Sequence, residues 1–348
     1  LMRETCHEVL EALGLHDEEA RCSAVLANRL AFAGRFAEAE AEATRLLELA
    51  ERKATSAAAV DAWQTFAIVR QTQGAVTAAL DARRNAVKAA RSAGLKEREA
   101  MLMTNLGFAL TSIGARQEAR GALETGLALA DAIGSSGAVR HAQMNLLGWA
   151  ATFGNDKALE VHLAEVRAEA DSTASGVWAA PDRANLGVLF YRGMELLRAK
   201  NETACKRAAA LLRMAAQGYR ATGNRDILPA ALGLWAEAER RCGNSQRAAE
   251  LAREAAELLE SGAPSLLNES SVYLPLHDAC VELEDADHAK QAVIRGLQPL
   301  QRRLEGLLGT TYARLFLTEL PNNAALLAAA EGYGLVPERI HRLLETKN

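Results

Sequence analysis

Three asparagines stand forty residues apart, each directly before a leucine: Asn105 in TNLGFAL, Asn145 in MNLLGWA and Asn185 in ANLGVLF. An amide side chain carries both a donor and an acceptor, so it can pair with the C=O and the N–H of a peptide bond. A row of such groups would hold an extended chain. The same chemistry would also tie one helix to the next through backbone carbonyls, and the spacing alone leaves both readings open. No catalytic constellation competes with them. There is no GxxxxGK[ST], no GxGxxG after a strand, no HExxH and no GxSxG. His277-Asp278 and His288 with Asp285 and Asp287 are the nearest approach to a metal cluster. ELEDADHAK reads more simply as an acidic turn opening a helix, where carboxylates suit the dipole. The five cysteines, at 6, 22, 205, 242 and 280, contain no CxxC pair and read as small buried residues in a reducing cytosol. No metal, cofactor or enzymatic activity is expected.

The elements that would position the asparagines follow from the glycines. Gly34, Gly74, Gly114 and Gly154 are also forty residues apart, and each separates two apolar-periodic segments. A glycine after a last helical turn supplies the left-handed residue that reverses the chain, so each unit is expected to be an antiparallel helix hairpin. Ala39, Ala79 and Ala119 each lie five residues beyond their glycine, where the second helix must cross close to the first. In the clearest unit, Leu106 and Leu110 on one helix and Ala119 and Leu123 on the other keep i, i+4 spacing, with Gly107 beside Leu106. About seven units are expected over 1–300, clearest at 20–195. Their later members are 184–224, with a first helix running to about Lys200, then 228–262 and 266–300, with Ala248 and Ala289 in the small position. A helical signal at 3–13 reads as an N-terminal cap. Residues 301–348 read as a C-terminal helical cap, with a helix near 310–319 and two short helices broken at Pro321 and near Gly334–Pro337. Pro321-Asn-Asn reads as a helix stop and a new N-cap. GSSG at 134–137 and SGAPS at 261–265 read as turns between units.

This pattern of a leucine-glycine pair, a large apolar residue, a turn, an alanine and another large residue resembles the tetratricopeptide repeat. A forty-residue period is similar to the long-repeat branch of that family. The resemblance implies an all-α, right-handed superhelical solenoid of antiparallel hairpins, whose first helices line a concave groove. On that fold Asn105, Asn145 and Asn185 would form a row at ~10 Å intervals from helix packing distances. Long-repeat members use asparagines here to hold peptide backbone. One helical turn before and after them lie Gln64, Gln71, Met101, Thr104, Phe108, Thr111, His141, Met144, Gly148, Tyr191 and Arg192. This mixture of amides, Met and aromatics suits a peptide better than a phosphate. The equivalents in earlier units are Val25 and Thr65, so the row covers only the middle of the array. Arg70, at a place usually apolar, would reach to solvent or pair with Asp61.

Composition bounds the function classes. Lys+Arg 40 against Asp+Glu 44 gives a net charge of −4, which is no footprint for nucleic acid. No eighteen-residue apolar run exists to span a membrane, and LMRETCHEVLEALG is not a secretory signal. The expectation is a cytoplasmic, non-catalytic scaffold that binds a protein or peptide partner. A sensor region of a larger bacterial signalling protein is the alternative. FLTELPNNAALLAAAEGYGL resembles the ending of repeat regions attached to bacterial serine/threonine kinases, signal-transducing ATPases and cyclase-linked regulators. A first residue other than Met fits a chain trimmed from such a protein. A homodimer is a further alternative, favoured if Leu315, Phe316 and Leu317 are exposed in the cap.

Overall fold

The computed structural model describes residues 9–10, 12–52, 56–154, 156–173, 183–199, 201–262 and 268–345. Most of the helical signal at 3–13, and residues 263–265 of SGAPS, lie outside them. The described residues form seventeen α-helices and no strand. Fourteen make seven successive pairs: α1 (His16–Phe32) and α2 (Phe36–Arg52), α3 (Ser56–Thr72) and α4 (Val76–Ser92), α5 (Lys96–Thr111) and α6 (Arg116–Ile133), α7 (Ser136–Phe153) and α8 (Glu160–Thr173), α9 (Arg183–Leu196) and α10 (Glu202–Ala221), α11 (Leu228–Arg241) and α12 (Ser245–Glu260), α13 (Ser270–Glu282) and α14 (Ala286–Glu305). Three shorter helices follow: α15 (Tyr312–Thr318), α16 (Pro321–Gly332) and α17 (Glu338–Glu345).

The forty-residue period is a twenty-residue period counted twice. Helices α1 to α7 begin at 16, 36, 56, 76, 96, 116 and 136. The turn that ends α3 shows why. Gly74 takes φ 79°, its N–H bonds Gln71 O at 3.0 Å, and the Ala75 N–H bonds Arg70 O at 2.9 Å. These two bonds satisfy carbonyls that the helix end would leave bare. The same pair closes α4 at Gly94, so turns between hairpins copy turns within them. At the end of α13 the position falls to Glu284, which carries φ 58° without being glycine. The small residues are where close crossing requires them: Ala39, Ala119, Ala248 and Ala289 are 0% exposed and Ala79 is 3%.

The chain divides into two compact units. The first comprises the chain up to Ala109 together with Ala122–Val139. Its core is alanine-rich: Ala27, Leu30, Ala31, Ala39, Ala43 and Val69 form one cluster, and Val60, Ala86, Val87, Ala90 and Leu102 another. Such small side chains let helix axes approach closely. Arg70 pairs here with an acid, Glu40 at 2.6 Å rather than Asp61, and lies over the Phe66 ring, while Asp61 pairs with Arg98.

The second unit comprises Leu110–Gly121 and the chain from Arg140 onward. Its core holds the largest buried side chains, Trp149, Phe190, Tyr219 and Phe316. Helix α9 stops at Leu196 rather than near Lys200. Asn201 there adopts an extended conformation and accepts the Ala204 N–H at 2.8 Å, which starts α10. Among the C-terminal helices Phe316 and Leu317 are each 1% exposed, so their apolar surface is spent internally. Pro321 opens α16 after Leu320, and the asparagines do not cap it. Asn323 is buried, accepting Ser270 Oγ at 2.5 Å and donating to Phe316 O at 2.8 Å, which pins α16 to α13 and α15. Glu237 and Arg240 are mostly buried, and Arg240 also reaches Glu282 on α13, so the pair ties α11 to α13. The turn after α5 is held from far along the chain. Asn268 Nδ2 donates to Ser112 O at 3.1 Å, and the Tyr312 hydroxyl bonds Glu118 at 2.9 Å.

Candidate binding surface

In the first unit the candidate residues sit on α3 and α5. Gln64 and Gln71 are two helical turns apart and share one face of α3, both half-buried. Gln64 bonds no other described residue. Met101, Asn105 and Phe108 follow i, i+4, i+7 spacing on α5; Met101 is 43% exposed and the other two are half-buried. Thr104 points elsewhere. It is buried, its hydroxyl donates to Ala100 O at 3.1 Å, and a Cβ at Gly126 would lie 2.5 Å from its Oγ1. Thr104 is therefore a packing residue between α5 and α6.

One residue of this unit escaped the sequence reading. Arg83 stands nine residues after Gly74, and the same offset from the glycines within other hairpins, Gly34, Gly114, Gly154 and Gly243, gives Ala43, Leu123, Leu163 and Ala252, all 0% exposed and none larger than leucine. Arg83 thus sends a guanidinium through a place its sister hairpins fill with hydrocarbon. Its Nη2 donates to Gln71 Oε1, and its Nε is buried with no partner among the described residues. Burial alone pushes the guanidinium down to about 10, with no carboxylate opposing it. An arginine in a row of Ala and Leu was the signal available in the sequence.

In the second unit Thr111 is half-buried at the end of α5. The remaining candidates lie on α7 and α9, and most of their polar atoms are engaged. Asn145 is 6% exposed, and its Nδ2 donates to the His141 carbonyl on its own helix at 2.9 Å. Asn185 is half-buried, with Oδ1 at 3.5 Å from Arg140 Nη2, and Arg140 itself pairs with Glu169. Arg192 is clamped by Asp171 at 3.0 Å and Glu195 at 2.6 Å. Gly148 and Gly187 let α7 and α9 meet: a Cβ at Gly148 would lie 2.9 Å from the Tyr191 ring, and one at Gly187 would lie 2.5 Å from Met144 Sδ. Burial holds the Tyr191 phenol protonated and lowers the His141 pKa, so both are neutral groups at pH 7. Among the described residues no group of three or more His, Cys, Asp or Glu could hold a metal ion, and no helix is long and apolar enough to cross a membrane.

No protein-family model matches the sequence, and no curated protein matches it. Among solved structures, the chain is similar to NprR in complex with its cognate peptide NprX. That match covers 98% of this chain and 82% of NprR at 14% identity and a TM-score of 0.50. A circular tandem repeat protein matches over 95% of this chain and 90% of its own at 14% identity, with a TM-score of 0.25 too low to carry an argument. The likeness to NprR, at that identity, is one of fold: the chain is a helical-repeat protein.

Proposed function

We propose that this chain is a non-catalytic, tetratricopeptide-type interaction module of the long-repeat kind, cytoplasmic, that binds an extended peptide on the first helices of its hairpins. The hairpin array over 1–300 carries the surface and 301–348 caps it. The observation that carries the reading is the face of α3 and α5 in the first unit. Gln64, Gln71, Asn105, Phe108 and Met101 remain at least partly accessible, while the opposite faces of these helices are consumed in alanine-rich packing. Amides beside a methionine and a phenylalanine offer backbone pairing next to apolar contact, which is what an extended peptide presents. The likeness to a protein solved with a bound peptide supports the same reading. In the second unit Asn145 and Asn185 are less available to a ligand, since one bonds its own helix and the other lies beside Arg140.

The test is selection from a randomised peptide library on the immobilised protein, wild type beside a Gln64→Ala/Phe108→Ala double variant with an unchanged melting curve. Peptides enriched by the wild type and lost by the variant are expected. No enrichment, or the same enrichment by both, refutes the reading.

A further inference from the structure

We infer that Arg83 and Gln71 form a subsite for a carboxylate carried by the ligand, an inference that rests on the peptide-binding reading and narrows it to acidic ligands. The argument is one of compensation. A buried charge is retained only when something pairs with it. Deeply placed arginines of the second unit obey this: Arg140 has Glu169, Arg167 has Glu195 and Glu160, Arg192 has Asp171 and Glu195, and Arg240 has Glu237 and Glu282. Among the described residues Arg83 has only the neutral oxygen of Gln71, and its Nε has none.

The position makes the cost avoidable, since Leu123 and Leu163 occupy it in other hairpins without charge. The guanidinium presents a planar fork suited to two carboxylate oxygens. Gln71 lies on the same face of α3 as Gln64, within the surface assigned to the peptide, and its side-chain NH2 adds a second kind of donor beside the guanidinium. Arg83 and Gln71 both keep part of their surface accessible, so the pair is reachable from solvent.

The experiment is a thermal melt of the full chain with three probes at equal ionic strength. N-acetyl-aspartate amide offers a side-chain carboxylate, N-acetyl-alanine a terminal one, and N-acetyl-asparagine amide none. The wild type is expected to melt higher with one or both acids and to ignore the neutral probe. Whichever acid acts more strongly identifies the source of the carboxylate. Arg83→Leu should melt above the wild type without probe, because the uncompensated charge is gone, and should answer none of them. Arg83→Gln keeps a polar stem without the charge and should also lose the response, which covers the case where leucine packs badly. A wild type indifferent to both acids overturns the inference, as do variants that still respond and an Arg83→Leu and Arg83→Gln that both melt lower. The probes need no peptide, so a positive melt with an empty library selection would sink the peptide reading and leave the anion subsite standing.

Discussion

Gly121→Ala and Gly233→Ala are one chemical change at two helix-interior positions, and they should move stability in opposite directions. Gly121 is exposed on α6, and a Cβ there would meet nothing within 4 Å. Replacing glycine by alanine in an exposed helix gains about 1 kcal/mol. Gly233 lies in α11 against α13. A Cβ there would sit 2.3 Å from Ser271 O and 3.0 Å from both Ser271 C and Val272 Cα. All three atoms are backbone, so no rotamer change relieves the clash. A carbon and a carbonyl oxygen settle at about 3.3 Å or more, so α11 and α13 must part by about 1 Å. Overpacking of this kind costs about 1–3 kcal/mol, which meets or exceeds the same propensity gain of about 1 kcal/mol. With three backbone atoms that cannot yield, the cost falls in the upper part of that range, about 2–3 kcal/mol, so the net expectation is a loss of about 1–2 kcal/mol. Urea unfolding followed by circular dichroism measures both. Hydrogen exchange is needed alongside, because hairpin arrays can open in parts. Faster exchange confined to α11 and α13 would locate the damage. A Gly233→Ala protein as stable as the wild type, or a destabilised Gly121→Ala, would refute the reasoning.

Two further outcomes follow from positions already described. Glu284 is exposed and holds φ 58°, so Glu284→Gly should raise stability by about 0.5–1 kcal/mol once glycine's own entropy cost is subtracted; an unchanged or lower urea midpoint would contradict this. Burial lowers the His141 pKa, so the unfolded chain takes up a proton first as pH falls below 6.5. Stability from His141 is therefore fully present above that value and is lost toward the folded pKa, and His141→Gln should flatten the urea midpoint between pH 7 and pH 5.

Sequence carried the architecture well because turn glycines and crossing alanines are steric necessities. Gly34, Gly74 and Gly114 announce the hairpins, and Ala39, Ala79 and Ala119 announce the crossing. The twenty-residue step was hidden because Gly94 and Gly134 sit between hairpins, outside the motif that drew attention to forty. The candidate surface was read less well, for a reason of orientation. A residue one turn along a helix can face the partner helix rather than the groove, as Thr104 does against Gly126, while Met101, Asn105 and Phe108 share an accessible face. Asn145 is identical in register to Asn105 yet is buried, because neighbours rather than register decide exposure. The sequence left open which way Phe316 and Leu317 face, because they belong to a seven-residue helix too short for periodicity to reveal its inner face. Arg83 was missed because it was sought neither as a ligand nor as an exception to the apolar row.

The bonds from Asn268 to Ser112 and from Tyr312 to Glu118 span 156 and 194 residues of chain. Their consequence is one of order in time. At a synthesis rate of about 5–20 residues per second, the turn at 112–118 leaves the ribosome roughly 10–40 s before Tyr312 does. For that interval the hairpin of α5 and α6 must persist on its local contacts, with its own tip still waiting for the partner that will finish it. A chain cut before α15 would never receive it, so the last helices act as the closing step of folding for a turn made in the first third of the protein.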